Sequence, residues 1–194
     1  MPRLRALCVY CASSQRCDPR YHATAALLGR SAAERGVEIV YGGGQVGLMG
    51  AVADAALSAG GRVTGVIPEH LIVKELGHGR LTELVVVESM HERKREMFER
   101  ADAFAILPGG LGTLDETFEI LTWRQLGLHD KPIVLLNDGG YWQPLLDLIA
   151  HQVRENFVRP EHAGQMHVAD SVDALFALLE ALPGQRGESD TERF

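Results

Sequence analysis

No stretch of this chain is long and apolar enough to cross a membrane. The longest uninterrupted apolar run covers residues 6–12, seven residues, against about 20 for a spanning helix. Basic residues are in deficit: 19 Lys and Arg face 26 Asp and Glu, giving a net charge of −7 and a pI near 5.6. Binders of polyanions usually carry a basic excess. Neither a nucleic-acid polymer nor a membrane is therefore expected as a partner. Cysteine is scarce, an odd set of three at Cys8, Cys11 and Cys17. That excludes a disulfide scaffold and agrees with a cytoplasmic protein. The eight histidines show no ligand pattern such as HExxH, so no metal is expected.

What is present is ordinary for a globular protein. There are 194 residues, 46% hydrophobic and 23% charged, enough for one domain of about 100–200 residues. Arg3 and Arg5 precede the apolar run, which is short for a signal-peptide core and reads better as a first buried strand. Cys8 and Cys11 have CxxC spacing. In a strand, an odd separation puts them on opposite faces, so they read as small buried hydrophobes rather than a redox or metal pair.

Short apolar runs alternate with longer helical patterns. Strands are predicted at residues 4–11, 37–41, 62–67, 84–87, 103–107, 132–136 and 167–169. Helices are predicted at 19–35, 48–59, 90–100, 113–126, 142–155 and 171–182. Successive βαβ units give an α/β fold, an open parallel sheet with helices on both faces. One domain is expected over 1–183, with a polar tail at 184–194 expected to be disordered. In such sheets ligands bind beyond the carboxyl ends of the strands, near the switch in strand order.

Four loops there could carry chemistry. Ser13 and Ser14 follow the first strand and could touch a phosphate or ribose, or be plain turn residues. The run Tyr41-Gly-Gly-Gly-Gln-Val-Gly-Leu-Met-Gly50 offers Gly42, Gly43 and Gly44 before a helix start. Its backbone N–H groups suit an anion. Its spacing matches neither GxGxxG nor the P-loop, and a tight turn without ligand is the bland alternative. The run Leu107-Pro-Gly-Gly-Leu-Gly-Thr-Leu-Asp-Glu116 repeats the architecture with Gly109, Gly110, Gly112 and Thr113. Glu116 either acts on a part of the ligand beside the anion or completes a capping box with Thr113. Finally, Met90-His-Glu-Arg-Lys-Arg-Glu-Met97 puts Arg93 and Lys94 in the first helical turn. They are anion ligands or part of a solvated face, where Arg95 is assigned.

YGGGxxGLMG, MHxRK and PGGxGTxxE, in this order, resemble the Lonely Guy family of cytokinin riboside 5′-monophosphate phosphoribohydrolases, often labelled lysine decarboxylases. The resemblance spans residues 4–182, and residues 120–132 resemble its smaller dimeric branch. The chain departs at Ala12, where many members have Gly. The resemblance implies a Rossmann-like fold, no cofactor, a homodimer, and hydrolysis of the N-glycosidic bond of a nucleoside 5′-monophosphate. The substrates implied are adenosine or N6-prenyladenosine monophosphates, yielding free base and ribose 5-phosphate. It also implies a site lined by Glu75, Arg93, Lys94, Gly110, Leu111, Gly112, Thr113, Leu114, Asp115, Glu116 and Thr122. Ser13, Gly43, Gly44 and Gly109 are further candidates for phosphate or ribose. Breaking a ribose–base bond builds positive charge on the sugar, which a carboxylate can stabilise while it orients water. Glu116 is the first choice for that role and Glu75 the second, with Arg93 orienting Glu116 or the ribose or assisting the departing base.

Two rival readings remain. A pyridoxal-phosphate lysine decarboxylase needs a Schiff-base lysine, and only Lys74, Lys94 and Lys131 are available. A non-catalytic nucleotide-binding regulator is the other. The homodimer has an argument of its own. The helix at 113–126 carries Leu114, Phe118, Ile120, Leu121, Trp123 and Leu126, apolar on nearly all sides and so expected to be buried on nearly all sides. A sheet of this length is expected to cover only one face with its own core, leaving the other to a second subunit.

Overall fold

Seven strands pair in parallel in the computed structural model, which describes residues 4–72 and 78–182. They are β1 (Ala6–Tyr10), β2 (Glu38–Tyr41), β3 (Val63–Pro68), β4 (Glu83–Val87), β5 (Ala103–Ile106), β6 (Ile133–Leu136) and β7 (Met166–Ala169). Their order in the sheet is β4-β3-β2-β1-β5-β6-β7. The chain runs outward from β1 to β4, then returns past β1 to begin the other half at β5. The switch in strand order therefore lies between β1 and β5, whose registers run from Leu7 opposite Ala103 to Tyr10 opposite Ile106.

Helices α1 (Pro19–Glu34), α2 (Gly47–Ser58), α3 (Met90–Arg100), α4 (Leu111–Gln125), α5 (Gln143–Arg154), α6 (Pro160–Ala163) and α7 (Val172–Ala181) connect the strands. Short 3₁₀ turns occupy Glu69–Leu71 and Asp138–Gly140. None of the described helices is long and apolar enough to cross a membrane. The Rossmann-like arrangement expected from the sequence is the one observed.

Two cores form, one on each face. Leu7, Val9 and Cys11 pack with α1, α2 and α7, while Cys8 and Tyr10 pack with α3 and α4. Cys8 and Cys11 thus sit on opposite faces, as their odd spacing requires. All four residues of β6 are fully buried, which is why that strand reads as an unbroken apolar run. The two cores overturn the expectation that the chain covers only one face by itself. Helix α4 also differs from expectation. Ile120 is buried, but Leu111, Phe118 and Leu126 are 86%, 41% and 65% exposed. The predicted tail at 184–194 lies outside the described residues.

Candidate active site

Three chain segments meet above the switch point. Ala12 N–H donates to the Pro108 carbonyl at 3.2 Å, and the Ala12 carbonyl accepts from Leu48 N–H at 2.9 Å. The loop after β1 is thereby tied both to the turn after β5 and to the start of α2. Ala12 has no left-handed φ, since Asn156 is the sole non-glycine with one among the described residues. Alanine is therefore compatible with the loop's backbone here. A cleft of about 340 Å³ opens at this junction, lined by Cys11, Ser13, Gly42, Met49, Arg93 and residues 110–113, 115 and 116.

Arg93 is 5% exposed. Its Nε donates to the Val66 carbonyl at 3.1 Å and its Nη2 to the Gly42 carbonyl at 2.7 Å. A Cβ on Gly42 would fall on that Nη2, so only glycine leaves room for the guanidinium. Two carbonyls beneath it and a ladder of buried strand ends fix its direction. Arg95 behaves as a surface residue, bonded to Glu99 one turn on at 3.0 Å. The side-chain-capped helix start of this region is that of α3. Ser89 accepts from Glu92 N–H at 3.1 Å, and Glu92 Oε2 accepts from Glu88 N–H at 2.8 Å.

Helix α4 starts earlier than its apolar pattern suggested. Gly110 is the N-cap and makes no side-chain capping bond, so Thr113 is the third helical residue and cannot cap the helix for Glu116. This removes the capping-box reading of Glu116. Thr113 is instead buried beneath Gly109, where a Cβ would strike its hydroxyl, and its carbonyl accepts from Thr117 at 2.6 Å. Without a side-chain cap, the first-turn N–H groups of α4 and the positive end of its dipole face the cleft. Glu116 lies one turn deeper on the same wall. Burial, and then Glu116, push the Cys11 thiol well above its ordinary pKa, while Arg93 pulls it down. Cys11 therefore stays a neutral thiol within electrostatic reach of both charged groups.

The structure brings Ser13, Arg93, Gly110, Leu111, Gly112, Thr113, Asp115 and Glu116 to one cleft. It does not bring all the sequence candidates there. Gly43, Gly44 and Gly109 are buried beside the wall rather than in it. Lys94 braces α3 against α4 through Asp115 at 3.3 Å and Glu119 at 3.0 Å. Burial pulls its pKa down, but the bonds from Glu119 and Asp115 outweigh that and raise it. Leu114 packs against the core. Thr122 is exposed, its hydroxyl donating to the Phe118 carbonyl at 2.7 Å, about 9 Å along the helix from Glu116. Glu75 lies outside the described residues. Of the other lining residues, the sequence reads Cys11 as a buried hydrophobe and Gly42 as part of the anion loop, and gives Met49 no role. Their pattern is that of core or turn, and the meeting of the strand ends is what places them on the cleft.

Residues 49–179 match the family model described as "Possible lysine decarboxylase". The cytokinin riboside 5′-monophosphate phosphoribohydrolase of Rhodococcoides fascians is 44% identical over 181 residues, 93% of this chain and 91% of that protein. One from Arabidopsis thaliana is 47% identical over 158 residues, 81% of this chain and 73% of that one. The molybdenum cofactor carrier protein of Chlamydomonas reinhardtii shares the fold. Its TM-score is 0.70 at 20% identity, over 92% of this chain and 97% of that one.

The lysines do not fit the chemistry of the older label. Lys131 lies at the amino end of β6, away from the cleft, and its Nζ donates to the Phe98 carbonyl at 2.7 Å. Lys94 is held by its two carboxylates, and Lys74 lies outside the described residues. Identity of this order across nine-tenths of both chains goes well beyond shared fold: the protein belongs to the Lonely Guy family of cytokinin riboside 5′-monophosphate phosphoribohydrolases.

Proposed function

We propose that the protein hydrolyses the N-glycosidic bond of adenosine or N6-prenyladenosine 5′-monophosphates, releasing the free base and ribose 5-phosphate. The observation that carries this reading is the shared wall of the cleft, where uncapped backbone donors at the start of α4 stand one turn from Glu116, opposite the anchored Arg93. The phosphate takes the N–H groups of residues 110–112 and the helix dipole. Glu116 stabilises the developing ribosyl cation and takes the proton of the attacking water. Arg93 holds the ribose or Glu116 in line. The names of the relatives support the substrate class. Incubation with AMP and with isopentenyladenosine 5′-monophosphate tests it, with free base scored by chromatography and kcat/KM compared. Tight binding of both nucleotides without release of base would instead leave a nucleotide-binding regulator.

The working unit under this reading is a homodimer. Leu111, Asp115, Phe118 and Thr122 form one exposed stripe along α4, following the helical repeat. A second copy seated there would bury that stripe. It would also explain how Thr122, distant from its own cleft, could reach a ligand. The free cysteines support a reducing, cytoplasmic setting.

A further inference from the structure

A residue outside every motif touches the glycine turn. Tyr141, in the turn after β6, donates its hydroxyl to the Gly109 carbonyl at 2.8 Å. Its ring is fixed on two sides. Tyr21 of α1 meets it edge-on at 5.4 Å, and Trp142 at 4.8 Å. The turn that carries it is itself docked on α1. Thr24 donates to Asp138 at 2.6 Å, and Gly139 packs against the Arg20 guanidinium. Below, buried Thr113 fills the space under Gly109. The Gly109 peptide is thus held from above and from below.

We propose that Tyr141 is a positioning residue for phosphate recognition: by holding the Gly109 carbonyl it sets the direction of the Gly110 N–H. The link is the planarity of the peptide. In a trans unit the carbonyl of one residue and the N–H of the next point in opposite directions, and no described peptide bond is cis. Gly110 belongs to the cleft wall and, as the N-cap of α4, has no side chain of its own to fix the turn. A Gly-Gly peptide has wide backbone freedom. Without the hydroxyl it can rotate, and the donor is lost from the anion site part of the time.

This inference rests on the nucleotide reading of the cleft, and the test separates the two. Tyr141→Phe keeps the ring contacts and removes only the hydroxyl. A hydrogen bond of ordinary net strength corresponds to a factor of about three to ten. KM for AMP should rise by that factor with kcat unchanged, the signature of lost uniform binding. Dissociation constants of AMP and ribose 5-phosphate, measured by calorimetry, should rise in parallel. A merely structural tyrosine would lower Tm and leave this split absent. Unchanged constants in Tyr141→Phe, or a loss confined to kcat, overturn the positioning role while wild-type turnover upholds the function. A wild-type protein that binds neither AMP nor ribose 5-phosphate overturns both.

Discussion

Gly42 and Arg93 fill one small volume between them. Gly42→Ala puts a methyl group where Nη2 lies, and the guanidinium must leave its two carbonyls. Misplacement of a site group by about 1 Å can cost on the order of a hundredfold. Gly42→Ala should therefore lower kcat/KM by roughly tenfold or more, measurable in the free-base assay. In the same assay Arg93→Ala should impair turnover more than Arg95→Ala, whose guanidinium pairs with Glu99 on the helix surface. Equal loss in the two would return the start of α3 to a solvated face. Glu116→Gln is the sharpest case. With capping excluded by the helix start at Gly110, the substitution tests the charge and basicity of the carboxylate. The variant should fold and hydrolyse nucleotide at least roughly a hundredfold slower, while binding the monophosphate as well or better. Wild-type kcat in Glu116→Gln would leave Glu75 to be tested. At this scale the sequence exposed residues that stand in recognisable runs, such as Arg93 and Glu116. It hid Gly42's role and Tyr141, because each acts through a partner about fifty or thirty positions away.

Elements were easier to read than residues. The β-runs are short and apolar and the longer helices carry a helical period, so the seven strands and six longer helices fall within two residues or so of their predicted bounds. The four-residue α6 and the 3₁₀ turns escaped, being too short to show a period. The sequence pattern puts the start of α4 two residues late because Leu111 and Gly112 resemble loop, not helix. His129, just beyond α4, gives an element-scale prediction. Its Nε2 bonds the Ile120 carbonyl at 2.8 Å and its Nδ1 accepts from Lys131 N–H at 3.1 Å. The ring packs against Phe98 and Phe104. Both nitrogens are satisfied by the neutral form, and burial lowers the pKa to about 4. Between that value and the ordinary 6.5, the unfolded chain binds a proton that the folded one refuses, so stability falls as pH drops through this window. Tm should decline on the order of a few degrees between pH 7 and pH 4.5. His129→Gln should flatten that decline, and equal acid sensitivity in the two proteins would count against the assignment.

The assembled molecule carries a core on each face yet leaves Leu111, Phe118 and Leu126 of α4 in solvent. The sequence shows that α4 is apolar on nearly all sides. It could not show which side its own sheet would leave open, because that depends on the packing of α3 and α5 beside it. Light scattering at micromolar concentration should give a dimer for the wild type. Phe118→Glu with Leu126→Glu should give a folded monomer, since two buried charges would oppose association. A monomeric wild type would remove the dimer from the proposed function.

The cleft's walls come from opposite layers of the fold. Met49 belongs to the α2 layer, and Arg93, Thr113 and Glu116 to the α3–α4 layer. A nucleotide touching both acts as a non-covalent rivet between the two layers, added to the sheet and to the loop bonds at Ala12 and Gly42 that already join them. Linkage sets its effect: about 2.7 kcal/mol of added stability at a hundredfold excess over Kd. The imprint should be spatially uneven in hydrogen–deuterium exchange. Amides at the starts of α2 and α4 would gain protection on adding AMP, while those of α5 and α7, remote from the rivet, would exchange as before.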